Sequence, residues 1–379
     1  MKKKIIDLNK IESDTKEISK KINPINYGLL LLKFILSFIV LTSHNFERKT
    51  TKNRFIINLT KERKLHVPSF FIISFYFMSK HLYSFKIKIL LIRLIRLLIP
   101  YLGWPIIIWE INRFLNRKYN FKFPCTFEDL KLQLLSYLKI LSTIQSTIKV
   151  KNYLFLWAQI YIRPLWFNWE LISLTILFYI IIFIFRKHSL FILKIMLLLS
   201  YFAQYSGYNY NHFFKNYPYY NKYTFGLFLE SLPFAVTGYI LGIYKVIDIL
   251  QKHKIKTFIF SILIYKIIAD YNIFINKFGV IYNGINLNIQ SLCLIAIFSL
   301  FPSDKITNKN ISKFFIVITN YTGGIYYLHV PMRKYFNYYS VNIEKGTFIG
   351  QIMTYFFIYC ICFFGIFIFG KSPIKYLFC

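Results

Sequence analysis

The chain has 379 residues, 56% of them hydrophobic and 21% aromatic, with positive mean hydropathy, a balance that excludes an ordinary soluble globular protein. Its formal charge of +33 comes from 48 basic against 15 acidic residues, yet the lysines spread through every loop without clustering, and Lys, Ile, Asn, Tyr and Phe are abundant together, as an A/T-rich genome produces. We read these charges as juxtamembrane cations facing anionic lipid head groups, which predicts membrane lipids and no nucleic acid among the partners.

Windows of about 20 residues nearly free of charge recur along the sequence and match the hydrocarbon thickness of a bilayer. In chain order they predict spans at 27–44, 67–83, 97–112, 165–185, 189–207, 226–246, 256–275, 287–302, 313–332 and 347–369. The runs are continuous and lack the alternation of a lipid-facing strand, so the spans are helices. The expected fold is an all-α polytopic transmembrane bundle of about ten spans, an integral multi-pass protein of the cell membrane or an endomembrane. A polar N-terminal tail covers 1–26, the membrane domain 27–370 and a short C-terminal tail 371–379. The first apolar run is too long for a signal-peptide core and is read as retained. The long connection at 113–164 carries LKLQLLSYLKIL and YLFLWAQIYI, both suited to the interface. Loop Lys and Arg totals are nearly equal on the two sides, so they fix no orientation. Cys125, Cys293, Cys360, Cys362 and Cys379 show no disulfide or zinc spacing, and no metal site is expected.

Ionisable groups inside a span are costly and usually face a bundle interior or a water-filled cavity. Lys33 and His44 are separated by eleven residues, which at 100° each returns the helix to within about 20° of its starting azimuth over a rise of about 16 Å. Ser37 falls near the same stripe. Lys33 as a snorkelling cation, Ser37 bonded back to its own helix and His44 at the interface are the structural readings; a histidine there can also serve as a general base. In LIRLIRLLIP, Arg93 and Arg96 are three residues apart on one helix face and offer forks to phosphate oxygens; a membrane-boundary anchor is the alternative. Trp166 and Glu170 open the fourth span in RPLWFNWEL, and Glu230 is another intramembrane charge. Lys266 and Asp270 stand at helix ion-pair spacing, and His329 sits near the end of the ninth span.

Taken together these motifs resemble the acyltransferase-3 family. Its first-span marker is a basic residue, ten intervening residues and a histidine, here Lys33 and His44, with lysine where arginine is commoner. A phrase close to FFxxSG with a following aromatic residue appears as VPSFFIISFYF, with Phe70, Phe71, Ser74 and Tyr76 in register. Phe75 stands where the family has glycine; a glycine allows close backbone approach, whereas Phe75 is expected to obstruct a donor there. Arg93, Arg96 and Pro100 match the RxxR phrase, and LWFNWEL, LPFAVTGYILG and NYTGGIYYLHVP resemble three later segments in family order.

The resemblance implies an integral-membrane O-acyltransferase that takes an acyl group, often acetyl, from acyl-coenzyme A and places it on a hydroxyl of a glycan or other acceptor. By position it makes His44 the catalytic histidine with Lys33 its partner, and Arg93 and Arg96 the donor-phosphate contacts. Ser37, Ser74, Tyr76, Trp166, Glu170 and His329 are candidate lining residues. Acyl-coenzyme A is a donor substrate, and no tightly bound cofactor is expected. The alternative is a transporter or flippase for a lipid-linked or small anionic substrate.

Overall fold

The computed structural model describes residues 26–45, 65–83, 87–119, 165–213, 225–277, 284–301, 309–338 and 348–378. Among them every regular element is helical. The α-helices are α1 (Tyr27–Asn45), α2 (His66–Tyr83), α3 (Ile87–Tyr119), α4 (Leu165–Phe185), α5 (Ser189–Phe213), α6 (Phe225–Ile243), α7 (Val246–Lys252), α8 (Lys254–Lys277), α9 (Gly284–Ser299), α10 (Lys309–Asn320), α11 (Thr322–Tyr338) and α12 (Phe348–Phe369). Two 3-10 turns, Arg186–His188 and Pro373–Leu377, join α4 to α5 and follow α12. The interfacial pieces expected within 120–164 lie outside the described residues.

α2 and α6 approach each other backbone to backbone, and the sequence shows why. Gly238 and Gly242 are four residues apart on one face of α6. A Cβ at Gly238 would run into the backbone carbonyl of Ile72, and one at Gly242 would meet the Ser79 hydroxyl and the Tyr76 carbonyl. Small residues at that spacing let two apolar helices approach backbone to backbone, where packing rather than water exclusion drives association. On the first helix, the Asn26 side chain accepts the Leu29 N–H at 3.0 Å as an N-cap and donates to the Ser299 carbonyl at 3.4 Å, which ties the start of α1 to the end of α9.

Around α2 the core is aromatic. Phe71 meets Phe167 at 4.6 Å between ring centroids, Phe75 meets Phe178 at 4.8 Å, and Phe178 meets Tyr239 at 5.6 Å. The periphery is apolar too: Leu198, Phe202, Phe367 and Ile368 are each about 70–80% exposed, an outer surface suited to hydrocarbon and not to water.

Three helical stretches among the described residues are long and apolar enough to cross a bilayer: Ile87–Arg117, Phe167–Phe202 and Ile352–Phe369. A fourth counts if α6 and α7, bent by 63° at a two-residue break, make one broken span; Lys245 sits at that bend with φ 51°. α1, α2 and α9 are apolar as well, over Tyr27–Leu41, His66–Ser79 and Gly284–Ser299 among the described residues. The stretch 313–332, read from sequence as one span, is instead divided at Tyr321 into α10 and α11. The division has a local cause: Gly323 and Gly324 follow directly, glycine weakens a helix interior, and a side chain at Gly324 would collide with Cys362 and the Phe378 carbonyl. The third span also extends further than the expected 97–112 at both ends, running Ile87–Tyr119 with Pro100 and Pro105 inside the helix.

Candidate functional site

A cavity of about 740 Å³ opens between α1, α2, α3, α4, α10, α11 and the C-terminal 3-10 turn. That volume lies within the range of small-molecule sites. One wall is aromatic, built by Phe70, Phe167 and Tyr326 from three different helices, with centroid separations of 5.1–6.3 Å. Among the described residues three cations line it, Lys33, Arg96 and Lys375, and no Asp or Glu does.

Polar groups fix the wall between these cations. Tyr327 donates its hydroxyl to Asn168 Oδ1 at 3.0 Å, and Asn168 Nδ2 donates to the Leu97 carbonyl at 3.1 Å. One buried amide thus links α11, α4 and α3, and it braces the backbone next to Arg96. Buried amides with both ends bonded are stiff, because breaking either bond strands a polar group.

The two arginines of the RxxR phrase have different surroundings. Arg93 donates through Nη2 to Ser74 Oγ at 2.8 Å and through Nε to Thr175 Oγ1 at 3.1 Å, and its guanidinium lies 5.4 Å from the Phe75 ring centroid. Arg96 lines the cavity, 5.2 Å over the ring of Tyr376. Phe75, fully buried, is not a lining residue; it packs on Phe178 and under Arg93.

The remaining residues singled out in the sequence divide as follows. Lys33 and Ser74 line the cavity. Ser37 is fully buried, donates to the Phe34 carbonyl at 2.7 Å and lies 3.3 Å from the Tyr355 hydroxyl, facing α12. Tyr76 is half-buried beside Phe77 and outside the lining set. Glu170 is buried outside the lining set. His329 is fully buried, with Nδ1 donating to the Tyr326 carbonyl at 2.7 Å. The backbone of α1 is continuous through position 44, so Lys33 and His44 are carried on one helix at the separation expected; the side chains of His44, Trp166 and Glu230 lie outside the described residues. Lys266 and Asp270 are exposed on α8, and an ion pair joins Arg113 to Glu110 at 3.7 Å. No group of three or more potential metal ligands occurs among the described residues.

Four lining residues carry no signal that sequence alone resolves: Asn168, Tyr327, Lys375 and Tyr376. Asn168 is two residues from both Trp166 and Glu170, about 200° away around the helix, and only the packing of neighbours says which azimuth faces the cavity. Lys375 and Tyr376 belong to the stretch taken as a tail. Ser372 followed by Pro373 is the one available hint, since its hydroxyl accepts the Ile374 N–H at 3.2 Å and caps the turn.

No curated protein and no solved structure matches the chain. The family model described as "Acyltransferase domain" matches residues 26–371, nearly the whole sequence and the whole of the cavity except its C-terminal turn. An acyltransferase must bring an activated acyl donor and a nucleophile into one enclosed site, and a cavity with cations, an aromatic wall and braced polar groups has the parts for that; with this match, the chain belongs to the acyltransferase-3 family and is a membrane acyltransferase.

Proposed function

We propose that the protein is a multi-pass O-acyltransferase of about ten spans, which moves an acyl group, acetyl in the simplest case, from acyl-coenzyme A to a hydroxyl of a glycan or similar acceptor. The observation that carries this reading is the charge of the cavity: Lys33 and Arg96 line it, with no carboxylate among the described lining residues. Cations lining a cavity favour an anionic ligand, and of the two substrates the donor is the one that bears phosphates. The apolar outer surface and the span-length helices support the multi-pass placement.

His44 is the general base of this scheme. As the acceptor oxygen attacks the thioester carbonyl carbon, His44 takes the hydroxyl proton, the carbon–oxygen bond forms and the carbon–sulfur bond breaks. The coenzyme A thiolate leaves and recovers the proton from the imidazolium, so the histidine ends as it began. Lys33 lies about three helical turns along the same stripe of α1, roughly 16 Å by helical rise, a distance suited to holding the donor's charged part while the thioester reaches the histidine.

Purified protein given labelled acetyl-coenzyme A and a membrane extract as acceptor should attach label covalently to an acceptor, and His44→Ala should abolish this at unchanged protein abundance. Unchanged turnover in His44→Ala would remove the histidine from the mechanism. Passage of a substrate across the membrane with no covalent transfer would replace the enzyme with a transporter.

A further inference from the structure

The fold brings two short basic stretches to one end of the bundle. Lys194 Nζ on α5 donates to the Tyr244 hydroxyl, just past the end of α6, at 2.9 Å, and Asn288 of α9 is bonded to both Tyr201 of α5 and Thr237 of α6. Residues 194 and 201 are thus level with 244 and 237, and α5 and α6 run antiparallel. Ser189 stands five residues before Lys194, a rise of about 7.5 Å. That sets Ser189, and the turn Arg186–His188 before it, beyond the end of α6 and on the level of α7. The end of α9 is there too, since Gln251 Nε2 on α7 donates to the Ser299 carbonyl at 2.7 Å.

Residues 186–194 carry Arg186, Lys187 and Lys194 and no acid, and residues 244–256 carry four lysines against one acid, Asp248. All of these cations are exposed, and none forms an ion pair with a described residue. Exposed apolar side chains are mixed with them: Ile184 and Phe191 flank the first stretch, and Ile249 and Ile255 lie within the second, the last of them 76% exposed. Such a mixture fits neither water nor hydrocarbon alone, and suits the boundary between lipid head groups and acyl chains. α7 has the matching geometry. Bent 63° away from α6, it leaves the direction of the span, buries Ile247 and exposes Ile249. Lys245 makes the bend with φ 51°, a conformation glycine adopts freely and lysine only at a cost. The turn itself therefore gives no reason for a lysine, and the reason lies with its exposed ammonium.

We propose that this end of the bundle, from the Arg186–His188 turn to Lys245 and the junction of α7 with α8, is a docking surface for anionic phospholipid. α7 lies along the head groups, Lys245, Lys252 and Lys254 attract their phosphates, and Ile249 and Ile255 enter the acyl boundary. A free phosphate offers the same charge but no acyl chain for the two isoleucines, so a lipid is the occupant that the whole set of side chains fits. The surface uses no residue of the cavity and stands independently of the acyl-transfer reading.

The test uses full-length protein purified in a neutral detergent and titrated separately with phosphatidylglycerol, phosphatidylcholine and glycerol phosphate, each followed by binding and by thermal unfolding. The parent should bind phosphatidylglycerol in preference to the other two and be stabilised by it, less so as salt rises. Lys252→Gln with Lys254→Gln removes two exposed charges; it should keep the parent's lipid-free unfolding temperature and weaken phosphatidylglycerol binding about tenfold. Arg117→Gln with Lys266→Gln removes the same charge from exposed positions outside this surface and should leave binding unchanged. Lys245→Gly should unfold no lower than the parent, because glycine suits the φ there, and should still lose affinity. Equal losses in the two double variants would mean that net charge alone is sensed. Equal binding of phosphatidylcholine or glycerol phosphate would mean that this end does not select an anionic lipid. Either result overturns the proposal, as does phosphatidylglycerol binding that Lys245→Gly and the Lys252–Lys254 variant retain in full.

Discussion

Replacing Gly238 by alanine tests the account of how the bundle is assembled. Two effects oppose each other. In a helix interior alanine is favoured over glycine by about 1 kcal/mol, which stabilises the variant if nothing else changes. Against that, the new methyl group would overlap the Ile72 carbonyl oxygen and crowd the Ile72 carbonyl carbon and Cα, both 2.9 Å away. All three are backbone atoms of α2, so no side chain can swing aside. Relief requires α2 and α6 to separate by about 1 Å, which forfeits a quarter to a half of the dispersion energy of each contact along the seam. Overpacking of this kind costs about 1–3 kcal/mol, so the steric term outweighs the propensity gain, and Gly238→Ala should lower the unfolding temperature in detergent. Gly103→Ala is the control, since its Cβ meets only the end of the Leu377 side chain, at 2.6 Å, which can rotate away. A Gly238→Ala protein at least as stable as Gly103→Ala would refute the backbone-contact argument.

Arg93→Lys retains the charge but cannot serve Ser74 and Thr175 together through one ammonium, so it should destabilise by about 1–3 kcal/mol; Arg96→Lys should leave the unfolding temperature near the parent's and weaken the donor interaction instead. Equal thermal losses in the two variants would contradict the division between them. Phe75→Gly, which installs the residue usual in the family, should destabilise by about 3–5 kcal/mol through loss of a fully buried ring and the void left behind; a variant as stable as the parent would show that Phe75 is not part of the packed core.

The helical class was legible in the sequence because lipid leaves so few alternatives for the backbone. The Lys33-to-His44 register was legible because it depends on one helix alone. Azimuths were not. Ser37 lies near the Lys33 stripe, about 40° away by helical geometry, but it sits under Tyr355 while Lys33 lines the cavity. Asn168 is set apart from its neighbours Trp166 and Glu170 by azimuth and not by residue type, and the cavity selects by direction. Phe75 was expected to obstruct the donor, and its ring is instead turned into the α2–α4 core against Phe178. The C-terminal turn was hidden for a different reason: nine residues with two lysines look solvated until Trp104, Gly324 and Gly365 are brought to them from positions far away in the chain.

The bond between Arg93 and Ser74 joins two motifs that look independent in the sequence. Ser74 closes the FFxxS phrase of α2, Arg93 opens the RxxR phrase of α3, and their side chains meet at 2.8 Å with Thr175 of α4 completing the arginine's set. A part-buried guanidinium among apolar helices is held by the bonds its edges find, so this one couples α2, α3 and α4. Three residues on, a rise of about 4.5 Å and a turn of about 60° short of a full circle carry Arg96 to the Tyr376 ring at the cavity. The spacing of the pair therefore has a physical sense beyond offering two forks to one phosphate. The first arginine ties together the helices that form the wall, and the second, one turn on, is carried from there to the cavity, over the Tyr376 ring.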